Sequence, residues 1–178
     1  MMADVMRYHG LGTPMLSYVE DIERKLNDQP FLSLGEVKQN ISASASGFYW
    51  IYSTLSLESL KTATSPTNPR HVDVADLSKS HEALKHVIQP SSHCWWCIYN
   101  GKGKRLKDRI VAEFTDTQGK TGKLALLRCF QEGDFRIKYV VCSVSASATG
   151  VATQYSRLEK HLERAWRLHI GWPILCRA

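Results

Sequence analysis

Two tyrosines, a lysine, an arginine and a glutamate stand in an order that could do hydrolytic chemistry once folding brings them together. Gly47-Phe48-Tyr49 and Tyr99-Asn100-Gly101 each fall in an aromatic, β-branched run. Lys102 follows directly, Arg109 lies eight residues after Gly101, and Glu163 lies ten residues before Pro173. Breaking a phosphodiester needs a deprotonated water, a cation for the developing charge and a metal for the leaving oxygen. A tyrosine hydroxyl beside a lysine can hold or deprotonate the water. Arginine offers a planar fork of donors to phosphate oxygens. One glutamate with several waters is enough for Mg2+, which keeps much of its hydration shell.

Each residue also has a plainer reading. Tyr49 and Tyr99 suit a core or sheet edge with satisfied hydroxyls. Arg109 could pair with Glu113 one helical turn on, and Lys102 could belong to a turn. Glu159 and Glu163 are flanked by Arg157, Lys160 and Arg164, so one of them is expected to be a surface ion-pair residue; Glu163 is preferred as metal ligand and Glu159 is the fallback. Lys102, Lys104, Arg105, Lys107 and Arg109 form a basic cluster interrupted by Asp108. Lys104, Arg105 and Lys107 are expected to contact phosphates, a salt-sensitive and sequence-independent form of DNA binding. Cys94 and Cys97 have the C-x-x-C spacing of zinc ligands, which leaves open a zinc-dependent interaction domain. On a strand, however, residues three apart face opposite sides, and buried small hydrophobes are the favoured reading.

The elements that must position these groups can be read from periodicity. Met15, Leu16, Val19, Ile22 and Leu26 recur at helical spacing after Thr13 and Pro14, predicting a helix over 14–26; a shorter one is expected over 34–41. SASAS at 42–46 reads as a linker into a strand at 47–54. Residues 55–63 suggest a short helix, 65–74 a proline-containing loop and 74–88 a further helix. A strand is expected over 93–99, with a turn at Gly101-Lys102-Gly103 and a basic helix over 104–114. Lys123–Gln131 and Phe135–Val144 read as two strands joined through Glu132-Gly133-Asp134, with polar turn-rich sequence before them at 115–122 and a loop after them at 145–150. Residues 151–170 form a long amphipathic helix stopped by Gly171 and Pro173.

With those elements in place, the chain resembles the GIY-YIG nuclease family. GFY (47–49), YNGK (99–102), Arg109 on the following basic helix and Glu163 on the late helix carry the resemblance. It implies an α/β (α+β) fold with a small central mixed or antiparallel sheet flanked by helices. The nuclease domain would occupy 47–178, with an N-terminal helical extension over 1–46 and an insertion over 55–93. It further implies a divalent-metal-dependent DNA endonuclease, with Tyr49 as general base assisted by Lys102, Tyr99 positioning water or phosphate, and Arg109 stabilising the transition state. Glu163 would hold Mg2+ (or Mn2+). The sequence departs from the pattern in the 50-residue separation of Tyr49 and Tyr99, in Glu113 where the family often has Tyr or His, and in Cys176 where an Asn is common. Glu113 reads either as a second acidic ligand or as the mark of a lost proton-handling role. The extra segments suit a type II restriction-like enzyme, expected to pair as a homodimer because one site cuts one strand. The alternative is a nucleic-acid-binding module on the same scaffold with catalysis lost.

Composition agrees with these expectations. The 178 residues are 43% hydrophobic and 22% charged, as in globular domains, and a formal charge of +6 favours a polyanionic partner. No apolar run reaches the roughly 18 residues of a membrane span. The N-terminus lacks the pattern of a signal peptide and the five cysteines are an odd number, so an intracellular, cytoplasmic setting without membrane association is expected.

Overall fold

A computed structural model describes residues 13–90, 94–115, 122–142 and 151–177, with the backbone alone for 13–15 and 151–160. The expected loop at 145–150, most of the turn-rich stretch at 115–122 and the side chain of Glu159 lie outside the described residues.

At the centre is β1 (Gly47–Ser53), whose aromatic and β-branched residues are nearly all buried. It pairs antiparallel with β2 (Trp96–Gly103) on one side and β3 (Phe135–Val141) on the other, giving the strand order β2-β1-β3. The sheet is α+β in character and antiparallel throughout. Successive side chains alternate between its faces, so the residues of β1 divide between two cores. Tyr49 and Ile51 join Ile98, Leu106, Ile110 and Phe114 on one face. Phe48 and Trp50 join Val19, Ile22, Leu162 and Trp166 on the other.

Each face has its helix. α1 (Thr13–Asn27) and α6 (Val151–Ile170) pack together over the Phe48 face, where the Trp166 indole donates to Glu23. α5 (Leu106–Phe114) and α2 (Leu34–Asn40) cover the Tyr49 face. A capping box closes the start of α2: Ser33 Oγ accepts from Glu36 N–H while Glu36 accepts from Ser33 N–H. Between β1 and β2 the chain forms α3 (Leu57–Lys61) and α4 (Val74–His81).

Four sequence expectations need correction. Gly101-Lys102-Gly103 is not a turn; it continues β2 and pairs with Tyr49, Phe48 and Gly47. Lys123–Gln131 is not a strand. Lys123, Leu124, Ala125 and Leu126 are buried in succession rather than alternately. Ala125 takes a left-handed conformation (φ 48°), which interrupts extended chain before a 3-10 turn at Leu126–Arg128. Glu132–Asp134 is a second 3-10 turn leading into β3, not a hairpin. The helix expected over 74–88 ends at His81, because the following chain is drawn to the C-terminal segment. Val87 forms a parallel bridge with Trp172, through Ile88 N–H to Trp172 C=O (2.9 Å) and Trp172 N–H to His86 C=O (2.7 Å). His81 Nδ1 and the Ile174 carbonyl oxygen lie 2.8 Å apart in the same clip.

Candidate active site

The Y-N-G tripeptide in β2 is the meeting point of two polar clusters, one on each face of the sheet. Tyr49 is registered opposite Gly101, and Tyr99 opposite Ile51, so both tyrosines face α5. Their ring centroids are 6.0 Å apart. Glycine is required at 101: a Cβ there would stand 2.6 Å from the Tyr49 hydroxyl. Gly103 serves the next layer in the same way, since its Cβ would stand 2.8 Å from Arg109 Cβ. The two glycines that sequence reading assigned to turn chemistry therefore let a ring and a helix approach the strand.

Tyr49 donates to Glu113 Oε1 at 2.9 Å, and Arg109 Nη2 lies 2.8 Å from the same oxygen. Leu124 N–H donates to Glu113 Oε2 at 3.1 Å. The Tyr99 hydroxyl interacts with both Tyr49 and Arg109. The Glu113 side chain is 0% exposed, that of Arg109 33%. Burial raises the carboxyl pKa of Glu113 above its ordinary 4.5, against the pull of Arg109 and the hydrogen bonds from Leu124 and Tyr49. Burial, with the neighbouring Glu113 charge, likewise raises the phenol of Tyr49. Tyr49 is itself fully buried. The partly exposed members of the cluster are Tyr99 and Arg109.

Arg109 opens onto a pocket of about 430 Å3 that it lines with Lys102, Gly103, Lys104, Arg105, Asp108 and Ala112. Arg105 Nη2 pairs with Asp108 Oδ2 at 2.7 Å. Four cationic residues line it against one already paired acid, which makes this concavity suited to an anion. Lys107 points elsewhere, its Nζ donating to the Lys38 carbonyl on α2 at 3.3 Å.

On the opposite face, Asn100 is registered with Trp50 and turns toward α6. Arg167 donates from Nε to Asn100 Oδ1 (2.7 Å) and from Nη2 to Asn100 C=O (3.2 Å). It also binds Glu163 and lies 5.0 Å from the centre of the Trp172 ring. Cys176 Sγ accepts from Asn100 N–H at 3.3 Å and lies 3.2 Å from Asn100 Oδ1. Burial pushes its thiol up to about 12. Here the guanidinium is deep and the acid nearer solvent: the side chains are 9% and 18% exposed.

The expected site residues thus divide. Tyr49, Tyr99 and Arg109 come together, with Lys102 and Arg109 lining the basic pocket. Glu163 sits behind the same tripeptide with Arg167. Sequence reading gave no role to Arg167 or Asn100. A buried arginine on a helix carries no periodicity signal of its own beyond its place on the inward stripe with Leu162 and Trp166. Glu163 is a single carboxylate already engaged by Arg167, so Mg2+, which takes one or two carboxylates and keeps several waters, would have to draw it from that guanidinium. Among the described residues no group of three or more His, Cys, Asp or Glu could enclose a metal ion. Cys94 is exposed ahead of β2, whereas Cys97 is buried within it with Sγ 3.6 Å from the Tyr99 carbonyl. Among the described residues, no helix is long and apolar enough to cross a membrane. Comparison with protein-family models, with curated proteins and with solved structures returned no match.

Proposed function

We propose that this chain is a divalent-metal-dependent DNA endonuclease of the GIY-YIG type. The observation that carries the reading is the assembly of Tyr49, Tyr99 and Arg109 from three separate elements, with Arg109 opening onto a pocket it shares with Lys102, Lys104 and Arg105. In this reading Arg109 grips a phosphate oxygen and stabilises the charge that develops on it, while Lys102 holds the same phosphate or the attacking water. Tyr99 positions the water or the phosphate. Tyr49 is a positioning residue in this conformation, because its hydroxyl is directed to Glu113 and reaches no solvent. Glu163 would hold Mg2+ or Mn2+, which supplies positive charge to the leaving oxygen.

A second reading has its own support. Arg109 is engaged by Glu113, Glu163 by Arg167, and Tyr49 is enclosed. A module that grips DNA in the basic pocket without cutting it would tolerate all three. Incubation with plasmid, duplex, flap and single-stranded substrates in Mg2+ and Mn2+ separates the two. Metal-dependent cutting that is lost on chelation and in Arg109→Ala supports the nuclease. Salt-sensitive binding without product supports the module. Symmetric cuts at one short sequence would add restriction-type dimeric action, and structure-specific or near-random nicking would remove it.

A further inference from the structure

The far end of the sheet carries a second built surface. Phe31, Tyr52 and Trp95 come from three separate segments. Phe31 and Tyr52 meet edge-on with centroids 5.1 Å apart, and Phe31 and Trp95 lie tilted at 6.0 Å. Phe31 is 38% exposed and Trp95 half-buried, unusual for large rings with no core to join. Cations back both outer rings: Arg136 Cζ lies 4.9 Å from the Trp95 ring centre, and Lys138 Nζ lies 4.4 Å from that of Phe31.

The surface is held rigidly. Phe31 precedes Leu32, which exchanges backbone hydrogen bonds with Ile137 on β3 (3.0 and 2.8 Å). Trp95 precedes Trp96, whose indole donates to the Leu55 carbonyl at 2.8 Å. Lys138 is fixed beneath Phe31 by donation to the Leu26 carbonyl at 2.6 Å. Glu36, the acid that Arg136 influences, is committed to capping α2.

We infer that the Phe31–Trp95 surface, backed by Arg136 and Lys138, stacks an unpaired nucleobase of single-stranded DNA. Aromatic rings accept any base face, and Arg136, the partly exposed cation beside Trp95, can meet a backbone phosphate. The chain's net charge of +6 favours this polyanion over an apolar peptide. Trp95, just ahead of β2, and Lys102 within it are seven residues apart, at most about 23 Å of extended chain. A strand gripped at the basic pocket thus reaches the aromatic surface, which assigns the proposed nuclease a substrate with an unpaired arm. This last step rests on the nuclease reading; the stacking itself does not.

Fluorescence anisotropy with a labelled fifteen-residue oligothymidine and with a blunt duplex tests it. Phe31→Ala or Trp95→Ala should weaken single-strand binding about ten-fold each while changing duplex binding less than two-fold. Trp95→Phe, which keeps a ring, should restore most of the affinity. Unchanged single-strand affinity in both alanine variants, with melting temperatures equal to the parent, overturns the inference. So does equal weakening on the duplex, or tighter binding of a proline-rich peptide than of the oligothymidine. Arg109→Ala distinguishes the two claims: unchanged cleavage in that variant with the Phe31→Ala effect on binding retained overturns the nuclease site and leaves the stacking surface standing, whereas lost cleavage with single-strand binding unchanged in Phe31→Ala does the reverse.

Discussion

The two faces of the Y-N-G tripeptide solve the same electrostatic problem in opposite senses. Toward α5, the carboxylate of Glu113 is deep and Arg109 stands between it and solvent. Toward α6, the guanidinium of Arg167 is deep and Glu163 stands outside it. A buried ion must be compensated, and each cluster does so with backbone and side-chain hydrogen bonds beyond the ion pair. What differs is the charge left facing out. On one face the member nearer solvent is a guanidinium, on the other a carboxylate, behind neighbouring residues of one strand.

That contrast can be broken from either side. The largest effect is expected for Arg109→Ala: cleavage in Mg2+ should fall about 100–1,000-fold, measured as single-turnover rates on a duplex or flap. If the rate is unchanged, Arg109 does not face the reacting phosphate. Next comes Arg167→Leu, which strips Asn100 and Glu163 of their buried donor. Urea unfolding should report a loss of about 3 kcal/mol. A loss below about 1 kcal/mol would place Arg167 among ordinary surface ion pairs.

Gly101→Ala sharpens the comparison on the α5 side alone. Its new methyl group would press on the Tyr49 ring, costing about 1–3 kcal/mol in the same unfolding measurement. The smallest effect concerns pH. The native carboxyl of Glu113 ionises above the 4.5 of an unperturbed glutamate, so folding favours its protonated form. Stability from this group is present below pH 4.5 and is lost as pH rises through the native value. The parent should therefore lose ground to Glu113→Gln as pH rises across that window, read from melting temperatures in a pH series. A parent that instead gains on the variant would show that Arg109 outweighs burial.

Much of this scaffold was legible in the residues. Alternation and aromatic content marked β1, and helical spacing marked α1, α5 and α6, because each has one face committed to a core. The stretch at 123–131 was misleading for a definite reason. Its apolar residues suggest a strand, yet Leu124 N–H is taken by the Glu113 carboxylate instead of a neighbouring strand, and Ala125 turns the chain. Tertiary demand at the site overrode local preference. Tyr49, Tyr99 and Arg109 were legible as a set because a strand pair and the next helix bring them together. Arg167 was not, since Asn100, which takes two of its hydrogen bonds, lies 67 residues away in sequence.

The clip between Val87–Ile88 and Trp172–Ile174 has a consequence for how the chain opens. It fastens the end of the α3–α4 excursion to the segment that also supports Asn100, so two regions far apart in sequence share one set of backbone bonds. Contacts of such long range resist piecemeal fraying and tend to exchange as a cooperative unit. The amides of Ile88 and Trp172 should therefore acquire deuterium together, and disturbing either strand of the clip should release the other.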